Sequence, residues 1–195
     1  MTSTAPTSEC EFLGGRMLIA MPGIEDPRFD RVVILMCAHT CDHAMGIAVN
    51  RPLDGLSVPD LLAQLGVQAE QRLPDRPVLA GGPLERERGF VLHTDDYAAA
   101  ESTLPVSDGV ALTVTREVLE AMGSHDRRPR QSLLALGHAS WSPGQLEREI
   151  KDSVWLIGDP DEAVIFDTDH ETKWERALAK IGVRPGQLSA QSGRA

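Results

Sequence analysis

The stretch of sequence that decides the fold is residues 14–53, GGRMLIAMPGIEDPRFDRVVILMCAHTCDHAMGIAVNRPL. It contains three apolar segments of strand length, at residues 17–21, 32–38 and 44–49, each bounded by Gly, Pro or Asp. Because such bounding residues favour turns, the backbone is expected to reverse between the segments. We therefore predict three consecutive strands, with one turn at Asp26-Pro27 and a hairpin turn at residues 40–43.

Length, composition and charge restrict the class of protein. The chain has 195 residues, of which 42% are hydrophobic, which is enough for one domain with a core. Its formal net charge of −10 disfavours direct, specific binding to DNA, because a nucleic-acid surface is normally basic. The sequence shows neither a signal peptide nor a membrane span, and its three cysteines fit a reducing compartment. We expect a cytoplasmic protein with no membrane contact.

The rest of the chain supplies further helices and strands. Helices are predicted at residues 57–66, 115–123 and 145–151 and from residue 168 or 169 to 181. Strands are predicted at residues 78–83, 89–93, 110–114, 132–137 and 154–157, the first two forming a hairpin through the charged residues 85–88. Strands that arrive in pairs favour an α+β fold with mainly antiparallel pairing. We expect a loose segment at residues 1–11, one domain at residues 12–185 and a disordered tail at residues 186–195.

Several blocks of sequence together carry a resemblance to a known family. They are, in chain order, Met21-Pro22, Asp26-Pro27, His39, Met45-Gly46, Asn50-Arg51-Pro52, Gly81-Gly82-Pro83, residues 89–93, residues 135–141, residues 144–147, Phe166-Asp167 and Trp174. In this order they resemble the AlgH/YqgE family of bacterial proteins, over roughly residues 12–184. The block at residues 135–141 departs from the family's usual Gly-Tyr-Ala-Gly-Trp, because His138 and Ser140 replace the Tyr and the second Gly.

The resemblance implies a fold but no reaction. The family fold is α+β, with a bifurcated, largely antiparallel β-sheet curled into a pseudo-barrel and helices packed on it. The family is largely uncharacterised and carries no established catalytic residues. It is often labelled a transcriptional regulator, a label that does not fit this acidic chain, in which no helix-turn-helix pattern is visible.

Two patterns invite a chemical interpretation that we do not favour. Cys37, His39, Cys41 and His43 alternate like metal ligands, but along one strand they would extend over about 20 Å, too far for one tetrahedral ion. A buried Cys37 and exposed turn residues are the better interpretation, so no metal or cofactor is expected. Ser140, His93 and Asp167 include the residue types of a hydrolase triad, but no Gly-x-Ser-x-Gly turn surrounds any serine. No catalytic residue is assigned.

A basic loop gives a third pattern. Arg127, Arg128 and Arg130 would suit an anion, but three arginines beside Asp126 in an acidic protein are usually a solvated turn. We interpret the loop as exposed.

The candidate ligand site combines residues at predicted strand ends, turns and helix starts, where backbone groups are free and glycine lets a ligand approach. Its members are Asn50, Arg51, Gly81, Gly82, Pro83, His93, Trp141 and Gln145. We expect them to gather in one surface region of a non-enzymatic regulatory or interaction domain that binds a protein or a small polar ligand. A hydrolase-like enzyme with its site around His93 and Trp141 is the alternative. It is equally open that each residue only fixes its own corner of the fold.

Overall fold

The computed structural model describes residues 12–188. A ten-stranded sheet runs through this part of the chain, in the order β10-β1-β2-β3-β9-β6-β8-β7, with β4 beside β5 and β5 beside β9. The strands are β1 Met17–Ala20, β2 Val33–His39, β3 Ala44–Ala48, β4 Pro52–Ser57, β5 Pro77–Ala80, β6 Leu84–Thr94, β7 Thr103–Ser107, β8 Val110–Thr113, β9 Ser132–Trp141 and β10 Trp155–Gly158. The α-helices are α1 Val58–Gln64, α2 Arg116–Gly123, α3 Gln145–Lys151, α4 Glu162–Ile165 and α5 Lys173–Lys180.

The predicted fold class is confirmed, since the fold is α+β and every strand pair except β5 with β9 is antiparallel. The three strands predicted from residues 14–53 are β1, β2 and β3, paired in that order. Alternate residues of β2 enter two separate hydrophobic clusters, Val33 and Leu35 in one and Ile34 and Met36 in the other. Because β2 is buried on both faces, its sequence is a continuous apolar run rather than an alternation.

The sheet forks along one edge of β9. Residues 135–136 of β9 pair with β5 in parallel, whereas residues 139–141 pair with β3 in antiparallel orientation. Gly137 lies between these two segments with φ +76°, a conformation that glycine adopts without strain. The opposite edge of β9 pairs with β6. The fork allows one curled sheet to enclose more than one hydrophobic cluster.

The predicted hairpin between residues 78–83 and 89–93 is wrong. Strands β5 and β6 do not pair with each other, because they lie on opposite edges of β9. The short link Gly81-Gly82-Pro83 carries the chain across the backbone of β9, and a Cβ atom at Gly82 would lie 2.0 Å from the carbonyl carbon of His138. The charged residues 85–88 form an irregularity within β6, where the register against β9 shifts.

The helices largely follow their sequence signals. In α1, Ser57 caps the first turn by accepting a hydrogen bond from the amide of Asp60 at 3.3 Å. The bounds of α3 are as predicted, and its N-cap is Gly144 at φ +70°. The side-chain oxygen of Gln145 accepts from the amide of Ser142 at 3.1 Å, just before the helix. Helix α5 begins at Lys173, four or five residues later than predicted. The sequence reasoning did not identify β4, β7 or the four-residue α4.

The ends of the described region bear on two further expectations. Pro185–Gln187 form a short 3-10 helix, and Leu188 packs against the core where a disordered tail was predicted. The predicted loose segment at residues 1–11, and residues 189–195 of the predicted tail, lie outside the described residues. Within residues 12–188, no helix combines the length and the apolar character needed to cross a bilayer.

Candidate functional site

Of the eight predicted site residues, His93 is enclosed by the protein. Its side chain is 0% exposed. Nδ1 donates to the carbonyl oxygen of Thr94 at 2.9 Å, so the neutral ring accepts at Nε2 from the hydroxyl of Thr113, also at 2.9 Å. Burial lowers the pKa of His93. The expectation that His93 shares a surface region with the other residues is therefore wrong.

Asn50 and Arg51 lie in the link between β3 and β4. The side-chain oxygen of Asn50 accepts from the amide of Val33 at 2.9 Å, and its amide nitrogen donates to the carbonyl of Arg31 at 2.9 Å. Both hydrogen-bonding ends of this buried side chain are thus bonded to the backbone, one just before β2 and one at its first residue. Arg51 is half-buried, and its carbonyl accepts from the amide of Ala80 at 2.7 Å. Asn50 therefore holds the β3–β4 link against the start of β2 and has no free polar group for a ligand.

Gly81 and Gly82 are close to Arg51, but the space beside each glycine is filled by the backbone of β9. Gly81 donates to the carbonyl of Leu136 at 2.8 Å and accepts from the amide of Ala48 at 2.8 Å, so it joins the two branches of the fork. A Cβ atom at Gly81 would lie 2.2 Å from the carbonyl oxygen of Gly137. The close approach that these glycines allow is to β9.

Pro83, Trp141 and Gln145 do meet. They line a cavity of about 780 Å³, within the range of about 300–1,000 Å³ typical of ligand sites. We call it the tryptophan pocket. Its walls are the turn after β1, the start of β6, the end of β9, helix α3 and the segment leading into β10. Its lining consists of residues 21–26, 28–29, 83–84, 139–141, 145, 149 and 152–155.

One carboxylate organises the wall of this pocket. Oε2 of Glu149 accepts from the indole Nε1 of Trp141 at 2.8 Å and from that of Trp155 at 2.7 Å. Oε1 of Glu149 accepts from Nε2 of Gln145 at 2.8 Å. The two indole rings pack edge to face, with centroids 6.1 Å apart. Glu149 holds both rings and the glutamine in one fixed arrangement.

Sequence reasoning missed Glu149, although a signal existed. Gln145 and Glu149 are four residues apart in a predicted helix and therefore lie on the same face. Buried tryptophans also need an acceptor for the indole N–H, and Trp141 and Trp155 flank this helix. A carboxylate on that face of the helix was the expected acceptor for the indole N–H groups.

The pocket carries more negative than positive charge. Its lining contains the carboxylates of Glu25, Asp26, Glu149 and Asp152 and the single guanidinium of Arg28. Arg28 is committed to Asp26, with Nη2 to Oδ2 at 2.6 Å, and this hydrogen bonding lowers the pKa of Asp26. The side chains of Glu25 and Asp152 are exposed and form no hydrogen bond or ion pair with another residue of the described region.

A second contact fixes α3 to the sheet. Nδ1 of His39, in β2, accepts from the amide of Leu13 at 3.0 Å, so the neutral ring carries its proton on Nε2. Nε2 lies 2.9 Å from Oε1 of Glu147, on α3, and donates to it. Because both nitrogens are engaged, His39 has a positioning role beside the tryptophan pocket.

The residues that resemble a hydrolase triad or a metal site in the sequence do not come together in the structure. Ser140 lines the tryptophan pocket, Asp167 lines a different cavity and His93 is enclosed, so no Ser-His-Asp triad forms. Among residues 12–188, no group of three or more His, Cys, Asp or Glu side chains is placed to hold a metal ion. Burial raises the pKa of the Cys37 thiol to about 12, which disfavours the reactive thiolate.

The two departures from the family block occupy different environments. His138 is half-buried, with its ring centroid 5.3 Å from that of Phe90 and Nδ1 3.5 Å from Oε2 of Glu85. Burial lowers the pKa of His138. Ser140 faces the tryptophan pocket and is half-buried there.

Comparisons with known proteins agree with this structure. The AlgH-like (DUF179) family model matches residues 17–186. A UPF0301 protein of Caulobacter vibrioides is 62% identical over 195 residues, covering 100% of both chains. A UPF0301 protein of Rhodopseudomonas palustris is 48% identical over 200 residues, covering 99% of this chain and 91% of its own.

Solved structures show the same fold. The solution structure of the AlgH protein from Pseudomonas aeruginosa matches with a TM-score of 0.72 and 36% identity, covering 100% of both chains. A crystal structure of a Corynebacterium diphtheriae protein matches with a TM-score of 0.70, covering 91% of this chain and 88% of that one, and at 20% identity it supports the fold alone. The chain belongs to the AlgH-like family.

Proposed function

We propose that the protein is a non-enzymatic binding domain and that the tryptophan pocket is its site. The observation that carries this proposal is the hydrogen bonding of Glu149. Its carboxylate accepts from three N–H donors and so holds the pocket wall in place. A pocket wall that is fixed before binding lowers the conformational entropy lost when a ligand binds. These hydrogen bonds do not provide a reactive group for a chemical step.

The location of the pocket also supports a functional role. Residues from three separate regions that carry the family resemblance line it, namely Met21, Pro22 and Asp26 near the start, Pro83 in the middle and Trp141 with Gln145 further on. These regions are far apart in the sequence, so the fold itself brings them together.

The lining favours binding over hydrolysis. Ser140 is present, but neither a histidine nor a cysteine lines the pocket among the described residues. Without an adjacent base, a serine hydroxyl is a poor nucleophile. The hydrolase alternative centred on His93 loses its base because both ring nitrogens of that residue are internally bonded.

The charge of the pocket selects the ligand class. The free carboxylates of Glu25 and Asp152, together with apolar Ile24 and Phe29, suit a cationic group on an apolar stem. A lysine-like side chain of a partner protein and a small alkyl amine both have this chemistry. The net charge of −10 would also attract such a ligand.

Nuclear magnetic resonance tests the proposal through three indole N–H signals. Trp141 and Trp155 line the pocket, whereas Trp174 lies outside it and donates to the carbonyl of Ala20 at 2.9 Å, so its signal is an internal control. The probes are N-acetyl-lysine methylamide, hexylammonium and the neutral N-acetyl-norleucine methylamide. We expect the two cations to shift the first two signals and leave Trp174 in place.

The relative response to the two cations separates a peptide-like ligand from a small amine. Combined Glu25→Gln and Asp152→Asn substitution should reduce the shifts, whereas Glu87→Gln, on the exposed part of β6, should not. Equal shifts with the neutral analogue, or an equal shift of Trp174, would contradict the proposal.

A further inference from the structure

A second cavity lies on a different part of the molecule. Its volume is about 250 Å³, just below the lower end, about 300 Å³, of typical ligand pockets. Its floor is apolar and includes Val58, Leu79 and Phe166. Three arginines line it, Arg76 from the segment before β5 and Arg128 and Arg130 from the loop before β9. We call it the arginine pocket.

Two of these arginines are available to a ligand. Arg130 is bound to Oε2 of Glu162 at 2.8 Å. Within residues 12–188, Arg76 and Arg128 make no side-chain hydrogen bond or ion pair. The loop expected to be a solvated turn therefore brings an uncommitted guanidinium to the edge of an apolar cavity.

The one carboxylate in the lining does not cancel this charge. Asp167 is bonded to Arg176, outside the lining, and its Oδ1 accepts from the amide of Asp169 at 2.8 Å. Both interactions stabilise its ionised form, and the pKa of Asp167 is lowered, first by the amide of Asp169 and then by Arg176. The lining retains the positive charges of Arg76 and Arg128.

A buried histidine nitrogen gives an independent indication. His170 lines the same cavity, and its ring interacts with the backbone of Val49. Its Nδ1 is buried and has no well-formed hydrogen bond among the described residues. Buried polar atoms are usually satisfied, by protein, water or ligand. Because this atom is shielded from solvent, the ring must rotate before a polar group in the cavity can satisfy it.

We propose that the arginine pocket is a binding site for a small organic anion, a carboxylate on an apolar body. The guanidinium groups of Arg76 and Arg128 match the planar geometry of a carboxylate. The apolar floor receives the body of the ligand, and the small volume limits it to a single ring or a short chain. The arginine and tryptophan pockets share no lining residue, so this site does not depend on the proposed function.

Titration of the full chain with benzoate tests the proposal. The comparison ligands are benzamide, a neutral analogue of nearly the same shape, and inorganic phosphate, an anion without an apolar body. We expect benzoate to shift the backbone amide signals of residues 128, 130–132 and 166–170 and to leave the indole signals of Trp141 and Trp155 unchanged. Benzamide and phosphate should each bind at least about tenfold more weakly, because each lacks one of the two interactions.

Matched arginine variants locate the binding. Arg128→Gln and Arg76→Gln should each weaken benzoate binding about tenfold, the effect of losing one charge-assisted hydrogen bond. Arg127→Gln, the neighbour that does not line the cavity, should leave the affinity unchanged. The proposal is overturned if benzamide or phosphate binds as tightly as benzoate, or if Arg127→Gln weakens binding as much as Arg128→Gln. Benzoate shifts at the indoles in place of those at residues 128 and 130–132 would also overturn it.

Discussion

A Cβ atom on Gly82 would lie 2.0 Å from the carbonyl carbon of His138, a separation that no side chain tolerates. The contact arises because the chain crosses over β9 at this point, from the edge that pairs with β5 to the edge that pairs with β6. Neither backbone can move away without breaking sheet hydrogen bonds. The need for glycine at position 82 follows from the topology of the sheet.

Gly82→Ala is therefore expected to lower the free energy of unfolding by at least about 2 kcal/mol, the cost of overpacking against an immobile neighbour. Gly14→Ala is the matched control, because a Cβ atom there meets nothing within 4 Å. Chemical denaturation monitored by circular dichroism measures both. A Gly82→Ala protein as stable as Gly14→Ala would contradict the crossing geometry.

The parts of the fold that were predictable from sequence are those set by local pattern. The continuous apolar run of β2 and the turns around it specify three adjacent antiparallel strands, and Ser57-Val58-Pro59 specifies the start of α1. The partner of each later strand was not predictable in this way. Gly81-Gly82-Pro83 has the composition of a tight turn, and sequence alone does not separate a reversal from a crossing over a third strand.

The candidate site was predictable to a similar extent. Trp141 and Gln145 were found because a helix start beside small residues commonly borders a cleft, and both line the tryptophan pocket. His93 was misplaced because Thr113, which bonds its Nε2, becomes its neighbour only when β6 pairs with β8. Its other partner, the carbonyl oxygen of Thr94, is next to it in the chain. Edge strand β7 was missed since Pro105 interrupts its pattern, and an edge strand tolerates proline.

Glu149→Gln should loosen the tryptophan pocket. The substitution replaces one carboxylate oxygen by an NH2 group and leaves one neutral carbonyl oxygen. At least one of the N–H donors of Trp141, Trp155 and Gln145 therefore loses its acceptor, and the others lose the negative charge. A cost of about 2 kcal/mol in unfolding free energy is expected from a lost hydrogen bond to a charged group. The indole signals of Trp141 and Trp155 should move while that of Trp174 stays.

Exposed Glu87→Gln is the control for this effect. If the two variants are equally stable and the indole signals coincide with those of the unsubstituted protein, Glu149 does not organise the pocket.

The two cysteines in the described region should differ in reactivity. Cys41 is exposed, whereas Cys37 is buried and its pKa is raised to about 12 by burial. At pH 8 iodoacetamide should label Cys41 in the native protein and reach Cys37 only after denaturation. Peptide mass spectrometry reads each site separately. Equal native labelling of Cys37 would show that β2 opens far more readily than its double-sided burial allows.

The stability of the protein should depend on pH through Lys173. Its side chain is 0% exposed, and Nζ donates to the carbonyl oxygens of Val49 and Ile165, both at 2.7 Å. Burial lowers the pKa of Lys173 from 10.5 to about 7. Between these two values the unfolded chain binds the proton and the folded chain does not, so stability rises with pH across this window and is lowest below pH 7.

The measurement is the unfolding free energy of the natural protein and of Lys173→Met at several pH values between 7 and 10. The difference between the two unfolding free energies at each pH removes the contribution of groups that titrate identically in both proteins. The difference should increase in favour of the natural protein as pH rises, by at most about 1.4 kcal/mol per pH unit. In Lys173→Met the carbonyl oxygens of Val49 and Ile165 lose the donor that Lys173 provides. The variant is therefore less stable at high pH, where the native amine is neutral and donates to both carbonyls. A pH-independent difference would mean that Lys173 titrates alike in the folded and unfolded chain, and that the two carbonyls hold an ammonium ion.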